Sequence, residues 1–314
     1  MKQTSITKNN GWAAAGPRGL PGGSDDSVGR GALGRLRPLL GKGLARSLAV
    51  CSVFSFAIVT ASAPHAQSSH IARHWAPSGC GTQGAVRNEP SGQLPPRRHA
   101  LRAYSLVYCN DFRGSSLSAG WGKFSGVPGG DPSGMFEPSH VVVQKGMLTL
   151  NTFQDPAHNN VWATGGLCQC GVARTYGAYF VRSRVTGSGD DEVQLLWPAA
   201  HVWPPEIDFN ETGNQSNKTA WYVHFRSSNE QIAKTLHVNL TKWHTWGVIW
   251  TQRSLTFTVD GVVWGTVRNQ SVIPHEKMTL DIQQQTWCGI APECPTKPLS
   301  MLVDWVAEFA PARH

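Results

Sequence analysis

The chain has 314 residues, with 28 Lys+Arg against 20 Asp+Glu, a formal net charge of +8 and only 15% charged residues. No run of about 18 continuous apolar residues is present, which excludes a polytopic membrane protein, and the scatter of 33 Gly and 20 Pro excludes a long coiled coil. Thirteen Trp, 11 Phe and 5 Tyr supply enough apolar surface to argue against full disorder.

The positive charge is confined to the N-terminal third. Residues 1–66 hold 8 Lys/Arg and 2 Asp/Glu, residues 67–104 hold 5 and 1, and residues 105–314 hold 15 and 17. A nucleic-acid partner is therefore not expected, because phosphate-neutralising charge should lie in the folded part. Residues 1–40 are rich in Gly and Arg, and Gly29-Arg30-Gly31-Ala32-Leu33-Gly34 has no strand before it to make a nucleotide-binding turn. Lys42 and Arg46 precede the apolar run Leu48–Thr60, and Ala61-Ser62-Ala63 follows it. That order reads as a secretory signal within a 1–66 extension and predicts an extracellular or periplasmic protein without stable membrane association. A type II membrane anchor is the other reading of the run. Residues 67–103, with Pro, Gly, Ser and Arg and little periodicity, read as a linker or lead-in.

Cysteine usage agrees with export. Setting Cys51 aside leaves Cys80, Cys109, Cys168, Cys170, Cys288 and Cys294, an even number that suggests disulfides. The short Cys288–Cys294 loop is the first expected pair, and the other four allow several pairings. Cys168-Gln169-Cys170 also reads as half of a metal site, although no His stands at zinc spacing from it.

Residues 104–314 read as one all-β domain. Strands are predicted at His140–Gln144, Met147–Thr152, Ala178–Val185, Trp221–Phe225, Trp246–Thr251, Leu255–Val259 and Leu302–Phe309. Lys145-Gly146 and Asp260-Gly261 read as tight hairpin turns, since these residues accept positive φ. Many short strands at this spacing predict a β-sandwich or jelly roll.

The chemistry is concentrated in Leu195–Gly213. Glu206 and Asp208 are two apart and share a strand face, whereas Glu211 would point the other way. One bulge residue between Asp208 and Glu211 reverses the later phase and lines all three carboxylates along one cleft. Like charges so placed raise at least one pKa, as an acid catalyst requires. Glu206 and Glu211 suit the nucleophile and acid/base pair of a retaining glycosidase, with Asp208 tuning protonation between them. Apolar sugar faces call for aromatic platforms, for which Trp203, Trp197 and Trp287 are candidates. Gln283 could bond hydroxyls, and His224 shares a face with Tyr222 on one predicted strand.

Glu206-Ile207-Asp208-Phe209-Asn210-Glu211 resembles the E-x-D-x-x-E signature of glycoside hydrolase family 16 in its bulged form. Leu196-Trp197-Pro198 with Trp203-Pro204-Pro205, Trp243–Thr251 followed by Val259-Asp260-Gly261, Val303-Asp304-Trp305-Val306, and Tyr176-Gly177 before Arg182 resemble further stretches of that family. The resemblance covers about residues 104–310. It implies a concanavalin-like jelly roll with a concave substrate cleft and a retaining hydrolysis of internal β-glycosidic bonds, a β-1,3- or β-1,3-1,4-glucan being the broad expectation. It further implies Glu206 as nucleophile, Asp208 as its helper and Glu211 as acid/base. A structural calcium is implied at the Asp304 carboxylate and the Gly146 carbonyl, with a carbonyl near Asn110 or Asp111. Catalysis itself needs no cofactor, and a monomer acting on polysaccharide is expected. Two positions depart from the family pattern: Asn210 is polar where an apolar residue is usual, and Phe180 stands where Glu is usual. A non-catalytic glycan-binding module, a transglycosylase and an envelope protein held by its N-terminal segment are the alternative readings.

Overall fold

The structure is a computed structural model that describes residues 101–288 and 294–312. The expected leader over 1–66 and nearly all of the lead-in over 67–103 lie outside the described residues. Among the described residues the regular structure is almost entirely extended, with strands β1 (Tyr104–Asn110), β2 (Gly122–Lys123), β3 (Met135–Phe136), β4 (Val141–Gln144), β5 (Met147–Asp155), β6 (Val161–Thr164), β7 (Gly166–Cys168), β8 (Gly177–Val185) and β9 (Asp191–Pro198). These are followed by β10 (Glu206–Glu211), β11 (Lys218–Phe225), β12 (Glu230–His237), β13 (His244–Trp250), β14 (Leu255–Val259), β15 (Val262–Val267), β16 (Met278–Gln285) and β17 (Leu299–Pro311). Each strand predicted from alternation or β-branched content reappears, with ends moved by a few residues. Both predicted hairpin turns form with positive φ at their two central residues, 53° and 72° at Lys145-Gly146 and 50° and 78° at Asp260-Gly261.

Two sheets result. The larger has ten strands and runs β15-β14-β13-β8-β17-β5-β6-β3, with β1 also paired to β17 and β4 to β5. The smaller has seven and runs β12-β11-β10-β9-β16-β7-β2. All pairings are antiparallel except that of β3 with β6. The alternation of each strand decides what lies between the sheets. Leu196, Ile207, Phe209, Trp221, Val223, Leu280 and Ile282 of the smaller sheet face inward and pack with Tyr179, Val181, Trp246, Val248, Phe257 and Val303 of the larger. Trp221 stacks flat on Phe257 with ring centroids 4.5 Å apart, joining the two layers. This is the predicted jelly-roll sandwich.

On the far side of the larger sheet, Phe180 packs with Ala178, Ile249, Trp305, Ala307 and Leu101, the last of which precedes β1. An apolar residue at 180 thus serves a covered outer face. Gly247 on the neighbouring strand makes room for its ring, because a Cβ there would collide with Phe180. Disulfides join Cys288 to Cys294, the expected pair, and Cys168 to Cys170. The second bond rules out the metal half-site reading, since both sulfurs are already bonded to each other.

Candidate active site

The residues of β10 that point away from the core form the site. Glu206 pairs with His224 and Asp208 with Tyr222 across to β11, and then the register shifts so that Glu211 pairs with Ala220. The same shift appears against β9. The expected bulge is therefore present, and it turns Glu211 onto the face of Glu206 and Asp208. Thr219 pins it: its hydroxyl accepts the Glu211 N–H at 3.1 Å and contacts the Asn210 side-chain oxygen at 2.8 Å. The polar residue at 210 thus finds its partner on the neighbouring strand β11.

Burial and mutual repulsion set the protonation of these acids. Burial, then the charge of Asp208, holds Glu206 well above the ordinary carboxylate range, while the Trp203 indole N–H donates to Glu206 Oε2 at 2.7 Å and opposes that rise. Glu211 is likewise pushed well up by burial, then by Asp191 and Asp208, and it shares a hydrogen bond with the Asp191 side chain. Asp191 itself is raised by burial to about 6, although Gly213 and Thr212 donate to its Oδ1. Packed this closely, the acids cannot all be ionised near neutral pH.

His224 lies against Asp208, Nε2 to Oδ2 at 3.2 Å, and its Nδ1 contacts Asn229 Oδ1 at 2.7 Å. Burial works against its cationic form, but Asp208 and Asn229 outweigh burial, and its pKa lies above the ordinary value. Donor atoms of Glu206, Asp208 and His224 are all within 4.8 Å of one another. Trp203 stacks on Trp197 with centroids 6.5 Å apart and planes 11° from parallel, and it lies 5.8 Å from the His224 ring.

Trp197 is buried while Trp203 remains partly exposed. Trp287 is buried as well, and its backbone N–H donates to Asp131 Oδ2. Strand pairing sets Gln283 beside Val193 and Gln285 beside Asp191, on the acid-bearing face. The amide atoms of both have no hydrogen-bond partner among the described residues. Gln284 turns inward and bonds Asp190. Sequence reasoning missed Asp191, for which the period-two alternation of Asp191, Val193, Leu195 and Trp197 along β9 was the signal.

The expected calcium ligands fit an ion poorly. Asp304 sits at a register shift in β17, and its carboxylate accepts from the buried Arg182 guanidinium. Gly146 occupies the hairpin turn between β4 and β5. A single carboxylate already neutralised by Arg182 leaves no net negative charge for a hard cation, which usually collects several anionic oxygens.

Two stacked antiparallel sheets with carboxylates across the outer face of the smaller define a jelly-roll protein of the glycosidase class. A model described as Glycosyl hydrolases family 16 matches residues 133–307, more than half the chain and all three motif acids. Over 101 residues, 28% of this chain, the sequence is 35% identical to Endo-1,3-1,4-beta-glycanase ExsH of Rhizobium meliloti (strain 1021), spanning 20% of that protein's length. The catalytic domain of an endo-1,3-beta-glucanase (laminarinase) from Thermotoga petrophila RKU-1 superposes with a TM-score of 0.59 at 17% identity, covering 67% of this chain and 99% of that one. The endo-beta-1,3-glucanase from Pyrococcus furiosus gives a TM-score of 0.58 at 19% identity, over 66% and 94%. The chain belongs to glycosyl hydrolases family 16.

Proposed function

We propose that this chain is an exported, monomeric endo-β-glycosidase that cleaves internal bonds of a β-1,3- or mixed-linked glucan with retention of configuration. One observation carries this: the bulge in β10 sets Glu211 on the same outward face as Glu206 and Asp208. Glu206, oriented by the Trp203 indole, attacks the anomeric carbon as the glycosidic bond breaks. Glu211 gives its proton to the departing oxygen. Water then attacks the glycosyl ester, Glu211 takes the water's proton, and Glu206 is released as carboxylate. Asp208, braced by His224, tunes the charge between them. Trp203 offers a sugar platform, and Gln283 and Gln285 have amides free to bond hydroxyls. The relatives named for β-1,3- and β-1,3-1,4-glucan cleavage support the substrate class. The signal-like order of residues 42–63 and the Cys168–Cys170 and Cys288–Cys294 disulfides support export.

Reducing-end release on laminarin, lichenan, xyloglucan and agarose, with Glu206→Gln beside wild type, tests the reading. Activity on a β-glucan that disappears in Glu206→Gln is expected. Glu211→Gln should spare aryl glycosides with good leaving groups, which need little acid assistance. First-formed products should be β-anomers by proton NMR; α-anomers would refute retention.

A further inference from the structure

The outer face of β16 carries Thr279, Asp281, Gln283 and Gln285, because the alternate residues Leu280 and Ile282 point into the core. Gln283 stands beside Val193, which stands beside Glu211. Gln285 stands beside Asp191, whose side chain shares a hydrogen bond with Glu211. Two strand spacings, about 9.6 Å, separate Gln283 from Glu211. Between them Val193 and Leu195 pack with Trp197 and Trp203 as an apolar strip. A sugar chain crossing from β10 to β16 therefore leaves the acids, passes that strip and reaches the two glutamines. Both are 1% exposed, and the amide nitrogen and oxygen of each lack a hydrogen-bond partner among the described residues. Glu206 and Asp208 on the same face are 0% exposed, so this burial is that of the cleft floor.

We infer that Gln283 and Gln285 form a remote subsite that takes a 4-linked glucosyl residue by its O2 and O3 hydroxyls, so that a β-1,3-1,4-glucan is bound in preference to a pure β-1,3-glucan. This rests on the glucanase reading above and goes beyond it in the linkage. Polar atoms left unpaired in a packed site are costly, and a ligand that pairs them recovers the cost. An amide presents a donor and an acceptor side by side. Two adjacent equatorial hydroxyls present the complementary pair, since each hydroxyl both donates and accepts. A 4-linked glucosyl residue keeps O2 and O3 free, adjacent and both equatorial. A 3-linked residue uses O3 for its linkage and keeps no adjacent ring pair. Its O4 and O6 meet an amide only after the hydroxymethyl group is fixed, and ordering that rotor opposes binding.

The rest of this face agrees with recognition through hydroxyl edges. β16 has no aromatic ring on which a sugar face would stack. Asp281 Oδ1 is engaged by the Thr279 hydroxyl at 2.9 Å, whereas both amides remain unpaired. Gln284, between the two glutamines, turns inward and donates to Asp190 Oδ2 at 2.8 Å, which holds its neighbours to the cleft face.

Affinity electrophoresis of the full chain tests the subsite, in gels containing lichenan, a β-1,3-1,4-glucan, or laminarin, a β-1,3-glucan. Turnover is stopped by Glu206→Gln, and that protein is compared with one that also carries Gln283→Leu and Gln285→Leu. Leucine is of similar size and breaks no hydrogen bond at either position, so equal melting temperatures will verify that the variant folds. Lichenan should retard the Glu206→Gln protein more than laminarin does. The two leucines should weaken lichenan binding at least about tenfold and leave laminarin binding unchanged. Reducing-end release by wild type is measured alongside. Release from neither glucan, with lichenan retardation that still depends on the glutamines, would remove the hydrolase reading and leave the subsite standing. Unchanged lichenan binding in the leucine variant, equal losses on the two glucans, or no retardation of Glu206→Gln by lichenan would overturn the subsite.

Discussion

Glu211 keeps a proton because of its neighbours. Burial raises its pKa first, and the carboxylates of Asp191 and Asp208 raise it further, so its acid form persists to higher pH than an ordinary glutamate allows. Asp191→Asn removes one of those charges while keeping the Oδ1 that accepts the Gly213 N–H. Glu211 should then lose its proton at lower pH, and the alkaline limb of the kcat/KM profile should move to lower pH on a polymer substrate. An unmoved limb would detach Asp191 from the acid. Aryl glycosides with good leaving groups should show little of the change.

The bulge in β10 is the structural device on which the site depends, and a threonine on the neighbouring strand holds it. Thr219 accepts the Glu211 N–H and meets Asn210 from β11. Thr219→Val keeps the shape but removes these bonds, and leaving the buried groups unpaired should cost about 1–3 kcal/mol in chemical denaturation. Because Glu211 is the residue set loose, kcat on the polymer should fall further than kcat on an activated aryl glycoside. Equal losses on both would mean that the bulge serves stability alone. The need for a bulge was readable from the five-residue spacing of Glu206 and Glu211, since strand alternation forbids a shared face without one. Thr219 as its clamp was not readable, because nothing in the spacing says which residue of the next strand will lie opposite.

Buried acids give the folded domain a preference for mildly acidic solution. Burial raises Asp190 to about 7, Asp191 to about 6, Asp281 to about 8 and Glu308 to about 7. Unfolded, each would titrate near 4. Between about pH 4 and those values the folded chain holds protons that the unfolded chain has lost, so stability falls as pH rises. The slope is on the order of 1.4 kcal/mol per pH unit for each extra proton held. Glu137 and Glu230, whose pKa values are lowered mainly by His158 and Arg226, act in the opposite sense and only at the acid end. The melting temperature should therefore be higher at pH 5 than at pH 8; a flat or rising trend would mean that these carboxyls are hydrated in solution.

Spacing along the chain was enough to read β4, β5, β8, β11, β13, β14 and β17, both glycine hairpins, the Cys288–Cys294 pair and the acids of β10. All of these follow from local geometry: two residues per repeat, positive φ at turns, a short loop between thiols. Pairings across strands were another matter. Asp191 beside Glu211, His224 against Asp208 and Arg182 on Asp304 join residues whose strands could pair in several registers. The register that prevails is the one that turns Ile207, Phe209, Val223 and Ile282 inward together. Burial of the shared core selects it, so neighbours on the outer face are fixed by packing on the inner one.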